Sequence, residues 1–194
     1  MIKKIIFLFV LPSLFPPLFW RGAGGEVAAQ ATRQWGTYYG GASTEFGFST
    51  TTDASGNVYL SGKTGSLTGI FAGGFQSVYG GNFDAFLVKF AASGVRLWAT
   101  YYGGSGEDEG YSVAADASGD VYLAGWAMSP NNIASAGGFQ TIFGGPPLVG
   151  DAFLVKFNGT TGARLWATYY GGTGGDQGYG VAADIFGNVY LTGR

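Results

Sequence analysis

The chain has 194 residues, no histidine, no cysteine, 37 glycines, 16 phenylalanines, 12 tyrosines and 5 tryptophans, with 11% charged side chains. This much aromatic residue and this little charge exclude a disordered polyelectrolyte. The missing His and Cys exclude Ser/His/Asp triads, thiolate nucleophiles, disulfides and zinc held by His or Cys.

Residues 1–31 differ from the rest. Lys3 and Lys4 open a basic start, Ile5 to Trp20 is an apolar run interrupted by Pro12, Pro16 and Pro17, and Ala29-Gln30-Ala31 has the small-x-small form of a cleavage site. The segment reads as a secretory signal peptide, since the run falls short of the roughly 20 residues that cross a bilayer. Its removal leaves seven basic and eleven acidic side chains, a net charge of −4. Phosphate recognition needs clustered cations, so no nucleic-acid partner is expected, nor a membrane span after cleavage.

From residue 32 onward the chain repeats. Trp98-Ala-Thr-Tyr-Tyr-Gly-Gly104 returns unchanged at Trp166 to Gly172 and nearly so at Trp35 to Gly41, with periods of 63 and 68 residues. Asp53-Ala-Ser-Gly-Asn-Val-Tyr-Leu-Ser-Gly62 keeps step with the segments opening at Asp116 and Asp184. Asp84-Ala-Phe-Leu-Val-Lys-Phe90 recurs identically at Asp151 to Phe157, and Gly73-Gly-Phe-Gln76 recurs at Gly137 to Gln140.

In the copy from Gly110 to Gly172, Tyr111 to Ala115 and Asp120 to Trp126 flank an Asp-Ala-Ser-Gly turn and form a hairpin. After a long Gly- and Pro-containing connection, Asp151 to Phe157 and Ala163 to Tyr170 form a third and a fourth strand around an Asn-Gly-Thr-Thr-Gly turn. The third strand sets Phe153, Val155 and Phe157 on one face and Ala152, Leu154 and Lys156 on the other. A sheet apolar on both faces must be covered twice, which stacked propeller blades provide. The expected fold is all-β: propeller blades of four antiparallel strands, incomplete, with repeat units at about 46–104, 109–172 and 178–194 and an orphan strand at 35–41 forming a partial propeller over 32–194. Two full blades, one leading strand and one final hairpin are too few for a ring of four to eight blades, so closure is expected to need further blades or self-association.

These residues resemble the SBBP family of secreted bacterial β-propeller repeats, whose copies are similar to Trp-x-Thr-Tyr-x-Gly-Gly, Asp-x-x-Gly-Asn-Val-Tyr-x-x-Gly and Asp-Ala-Phe-Leu-Val-Lys-Phe. The likeness covers about residues 35–193. It implies a seven-bladed type of propeller in exported or cell-surface proteins, often joined to other extracellular modules, and it implies no catalytic residues.

Asp53, Asp116 and Asp184 are expected to cap their hairpin turns, much as the aspartate boxes of sialidase propellers do. The turn from Asn158 to Trp166 is similar to quinoprotein repeats in placing a Thr-Gly turn before a docking Trp; Asn158-Gly159-Thr160 is also a formal glycosylation sequon. The acidic link Glu107-Asp108-Glu109, with Glu45 and Asp176 at the matching positions, reads as solvated loop charge, with a calcium site as the sharper alternative. Copy-specific loops at Lys63–Ala72, Ala127–Ala136 and Pro146–Gly150 are where recognition is expected. No catalytic, cofactor-binding or metal residue is assigned and no cofactor is expected. The functional expectation is an exported, non-enzymatic propeller module for binding or scaffolding at the cell surface, with a protein or glycan ligand. The alternatives are part of a carbohydrate-active hydrolase or lyase whose catalytic residues lie outside this chain, or a calcium-stabilised adhesion module.

Overall fold

The computed structural model describes residues 34–146 and 148–194, so residues 1–31, expected to be a signal peptide, lie outside the described residues. Among the described residues there are ten strands and no helix: β1 Glu45–Thr52, β2 Val58–Thr64, β3 Asp84–Phe90, β4 Arg96–Tyr102, β5 Asp108–Ala115, β6 Val121–Ala127, β7 Asp151–Phe157, β8 Arg164–Tyr170, β9 Gly178–Ala183 and β10 Val189–Gly193. They form two antiparallel sheets ordered β1-β2-β3-β4 and β5-β6-β7-β8, followed by the hairpin β9-β10. These are unclosed propeller blades. The first strands β1, β5 and β9 pack side by side while β4 and β8 diverge, as in blades arranged around an axis.

The turn within each hairpin is built by its aspartate. Asp116 Oδ1 accepts the N–H groups of Ser118 at 2.9 Å and Asp120 at 3.0 Å, and Gly119 takes φ 86, which a side chain would strain. Asp53 and Asp184 repeat the arrangement on Ser55 and Asn57 and on Phe186 and Asn188. The expected capping role is therefore the observed one.

The apolar residues fall into three cores, one between each pair of successive units. Tyr39 packs with Val58, Leu60, Phe86, Val88 and Phe90. Tyr59, Leu87, Trp98 and Tyr102 pack with Leu123, Phe153, Val155 and Phe157. Tyr122, Ala124 and Leu154 meet Val181, Ala183, Val189 and Leu191 of the hairpin. Alternate residues of β7 thus enter different cores, so the blade is covered on both sides as its sequence requires.

Blades dock through a directional set of polar contacts. Trp98 Nε1 donates to the Gly159 carbonyl at 3.0 Å and Lys89 Nζ donates to the same oxygen at 2.9 Å. Tyr102 donates its hydroxyl to Ile133 O at 2.6 Å. A Cβ on Gly159 would overlap the carbonyl oxygen of Gly119, so this close approach admits only glycine. Residues 35–41 dock on blade β1–β4 in the same manner: Trp35 Nε1 donates to Ala92 O at 2.8 Å and Tyr39 to Ile70 O at 3.1 Å. They differ from a full fourth strand, however, because only Thr37 holds a bridge position. A fourth strand pairs with the third strand of its own blade, and among the described residues none lies beside this segment.

The long connection after each second strand also guards an edge. Ala72 and Ala99 exchange two backbone bonds of 2.9 Å, and Tyr101 N donates to Gln76 O at 3.2 Å, which covers the outer side of β4. Ser135 and Gln140 do the same for β8.

Candidate functional site

The first strand of every unit carries a β-bulge. Register shifts fall between Gly47 and Ser49 in β1 and between Gly110 and Ser112 in β5, and Gly178 and Gly180 of β9 pair with Gly193 and Thr192, skipping one residue. The bulged residues are Phe48, Tyr111 and Tyr179, which occupy equivalent positions of the three units. A bulge re-aims a side chain that plain alternation would send elsewhere. Here it brings three aromatic rings from three units into one row: Phe48 to Tyr111 is 5.5 Å between centroids and Tyr111 to Tyr179 is 5.8 Å. Phe46 extends the row, stacked on Phe48 at 6.4 Å. Phe48 is 42% exposed and Tyr179 49%, so these rings present surface to solvent instead of filling a core.

The row is held from beneath. Ser49 Oγ accepts the Val113 N–H at 3.3 Å and Ser112 Oγ accepts the Val181 N–H at 3.1 Å, so successive first strands are tied one to the next. Polar groups rim it. Lys63 Nζ pairs with Glu107 at 2.9 Å and with Glu109 at 2.5 Å, and lies 5.5 Å from the Phe46 ring centre. These two glutamates outweigh the cost of burial and raise the Lys63 ammonium above its ordinary range. The Tyr111 hydroxyl is also pushed up, first by burial and then by Glu109. Tyr179 donates to Gln177, and the Arg194 guanidinium lies 5.9 Å from the Tyr179 ring centre.

The link acids behave otherwise than expected. Strand alternation separates them: Glu107 and Glu109 turn to Lys63, whereas Asp108 is fully buried, which corrects the reading of solvated loop charge. Asp108 Oδ2 accepts Gly104 N at 2.9 Å and the Ser129 hydroxyl at 2.6 Å, pinning the Tyr-Tyr-Gly-Gly corner. Burial raises its carboxyl to about 7, with Asp84 adding repulsion, and burial raises Asp84 to about 6. Glu45 bonds to the Thr64 hydroxyl at 2.9 Å and to Ser66, while Asp176 caps Gly172 N at 2.8 Å. Among the described residues no three Asp or Glu side chains gather where they could hold a metal ion.

The copy-specific loops carry more framework than their variability suggests. Ile70 and Ile133 are fully buried and supply the carbonyls that Tyr39 and Tyr102 seek. Asn131 Oδ1 accepts from Ser105 N at 3.1 Å and the Ser105 hydroxyl at 2.9 Å. Asn158 Oδ1 is likewise occupied, by the N–H groups of Thr160 and Thr161 at 3.1 and 2.9 Å. Leu148, in the longer second-copy loop, is 83% exposed. The aromatic row, by contrast, escaped sequence reasoning; its available signal was an aromatic following glycine at matched positions 48, 111 and 179.

No curated protein matches the chain. Residues 97–134 and 165–194 match the family model SBBP, described as a beta-propeller repeat. Each matched stretch runs from a fourth strand across the link into the next hairpin, β4 to β6 and β8 to β10, so it spans the junction between blades. The two stretches are thus similar to the SBBP beta-propeller repeat; the first joins two four-stranded antiparallel blades and the second joins a blade to the hairpin β9-β10.

Proposed function

We propose that the chain is an exported, non-enzymatic propeller module that binds or scaffolds at the cell surface. The observation that carries this reading is the half-exposed aromatic row on bulged first strands, set on a frame whose turn and buried aspartates are consumed in structural contacts. Asp53 and Asp116 illustrate the second part. Burial works to raise both carboxyls, but hydrogen bonds from Asn57 and Lys89 on the one, and from Ser118 and Lys156 on the other, outweigh it and hold them low. Their partners Lys89 and Lys156 pair at 3.2 and 3.1 Å. Buried Asp84 and Asp108 lie out of reach of a substrate. Exposed aromatics on a rigid frame suit recognition, because their rings give contact area at small entropic cost. Export rests on residues 1–31 and their Ala29-Gln30-Ala31 site.

Two measurements test the reading. Expressed in a bacterial host, the full chain should leave the cytoplasm and yield a mature protein beginning at Thr32; an uncleaved cytoplasmic product overturns export. The purified protein should co-sediment with isolated bacterial envelopes, and the Phe48→Ala/Tyr179→Ala variant should remain in the supernatant. Equal sedimentation of the two proteins overturns the binding role of the row.

A further inference from the structure

We infer that the row Phe48–Tyr111–Tyr179 is a subsite for a neutral, unbranched oligosaccharide, an inference that rests on the binding-module reading above. The rings come from three separate units yet stand 5.5 and 5.8 Å apart, forming a strip that continues across blade boundaries. Such a strip fits a ligand that is itself repetitive and extended. A pyranose offers an apolar C–H face to an aromatic ring and hydroxyl groups around its edge. The edge groups here match that need: the Glu107 and Glu109 carboxylates and the Gln177 amide accept or exchange hydrogen bonds, and Lys63 and Arg194 donate them.

Charge decides between saccharide classes. Glu107 and Glu109 face Lys63 at 2.9 and 2.5 Å and Arg194 lies against Tyr179, so acids and cations on the rim balance. A polyanionic chain such as a uronate polymer, or a nucleic acid, would lack the clustered cations its charges need. A neutral sugar loses nothing. Rigidity contributes as well: the bulges and the Ser49 and Ser112 bonds fix the strands beneath the rings, so little order has to be created on binding. An extended proline-rich peptide also docks on aromatic strips and is the alternative occupant that the experiment separates.

The test is isothermal titration calorimetry of the full chain with cellohexaose, xylohexaose and N-acetyl chitohexaose, and with decaproline as the peptide probe. At least one hexasaccharide should bind, the Phe48→Ala/Tyr179→Ala variant should weaken that binding at least tenfold with an unchanged melting temperature, and Leu148→Ser should leave it intact. Both replaced rings are substantially exposed, so the variant is expected to fold, and the single variants Phe48→Ala and Tyr179→Ala should each show a smaller loss. Absence of binding by all three hexasaccharides at millimolar concentration overturns the inference, as does binding that survives the double variant. If no hexasaccharide binds while decaproline binds through the row, or while envelopes pellet the wild type but not the variant, the saccharide class falls and the binding-module reading stands.

Discussion

Replacing Trp98 with alanine should destabilise the protein by about 3–5 kcal/mol, and the same replacement at Trp166 by only about 1–2 kcal/mol. The two tryptophans sit in identical heptapeptides at the same place in β4 and β8, so the comparison isolates what lies beyond the blade. Trp98 is 3% exposed, packs against Tyr59 at 6.0 Å and reaches the Gly159 carbonyl of the following blade at 3.0 Å. A buried indole removes roughly 150–250 Å² from water, which at about 25 cal/mol per Å² sets a ceiling of about 4–6 kcal/mol. The lost hydrogen bond adds only about 1 kcal/mol, because Lys89 still serves the Gly159 oxygen at 2.9 Å. Trp166 keeps the matching neighbour, Tyr122 at 6.0 Å, but is partly exposed where the hairpin β9-β10 leaves it uncovered. Urea unfolding followed by far-ultraviolet circular dichroism measures both costs. Equal losses at the two sites, or a Trp98 loss below about 1 kcal/mol, would refute the claim that cohesion resides in the blade junction.

Stability should fall as pH rises from about 4 to about 7. Asp84 and Asp108 have folded pKa values of about 6 and about 7 against an ordinary 3.8, so in that window the folded state holds protons that the unfolded chain releases. The stabilisation is fully present below the unfolded value and gone above the folded one. Asp108→Asn should flatten this decline by a few kcal/mol, since each tenfold difference in proton affinity between the folded and unfolded chain is worth about 1.4 kcal/mol; pH-dependent urea midpoints with an unaltered slope would contradict it. Asp53 and Asp116, held below 3.8, act in the opposite sense and titrate at lower pH. Tyr102→Phe should cost about 1 kcal/mol, since Ile133 O retains an Arg164 bond of 3.1 Å. Tyr170→Phe, on a ring 59% exposed, should change the melting midpoint by no more than experimental error.

The blade was legible because its pattern has one physical solution. Asp-Ala-Phe-Leu-Val-Lys-Phe is apolar on both faces, and only a neighbour on each side satisfies it. The turn aspartates were legible for a similar reason, since a short acid three residues before a glycine has backbone N–H groups within reach. Alternation misled where a residue is inserted. The second unit's first strand reads from the sequence as beginning at Tyr111, yet it begins at Asp108, and the bulge at Tyr111 reverses the faces on either side of it. One shift hides two features: the outward aromatic at 111 and the inward carboxylate at 108. Three consecutive acids look solvated as a string of letters; as a strand, the middle one must point the other way.

The outer and inner strands of the blade carry separate sets of contacts. The outer strands carry the docking set: Trp98, Lys89 and Tyr102 on the first blade face carbonyls of the second, and Phe75 lies 6.5 Å from Phe157 and 4.4 Å from the Arg164 guanidinium. The second blade presents the corresponding Trp166, Lys156, Tyr170 and Phe139, with Phe139 83% exposed and stacked on Tyr170 at 6.1 Å. The hairpin β9-β10 covers the inner portion of that face, around Tyr122, Ala124 and Leu154, and leaves the Phe139–Tyr170 portion open. The aromatic row depends on β1, β5 and β9 alone, and all three are in place. Changes to the outer strands therefore act on stability through docking, whereas changes at positions 48 and 179 leave those docking contacts untouched and bear on the proposed binding role alone.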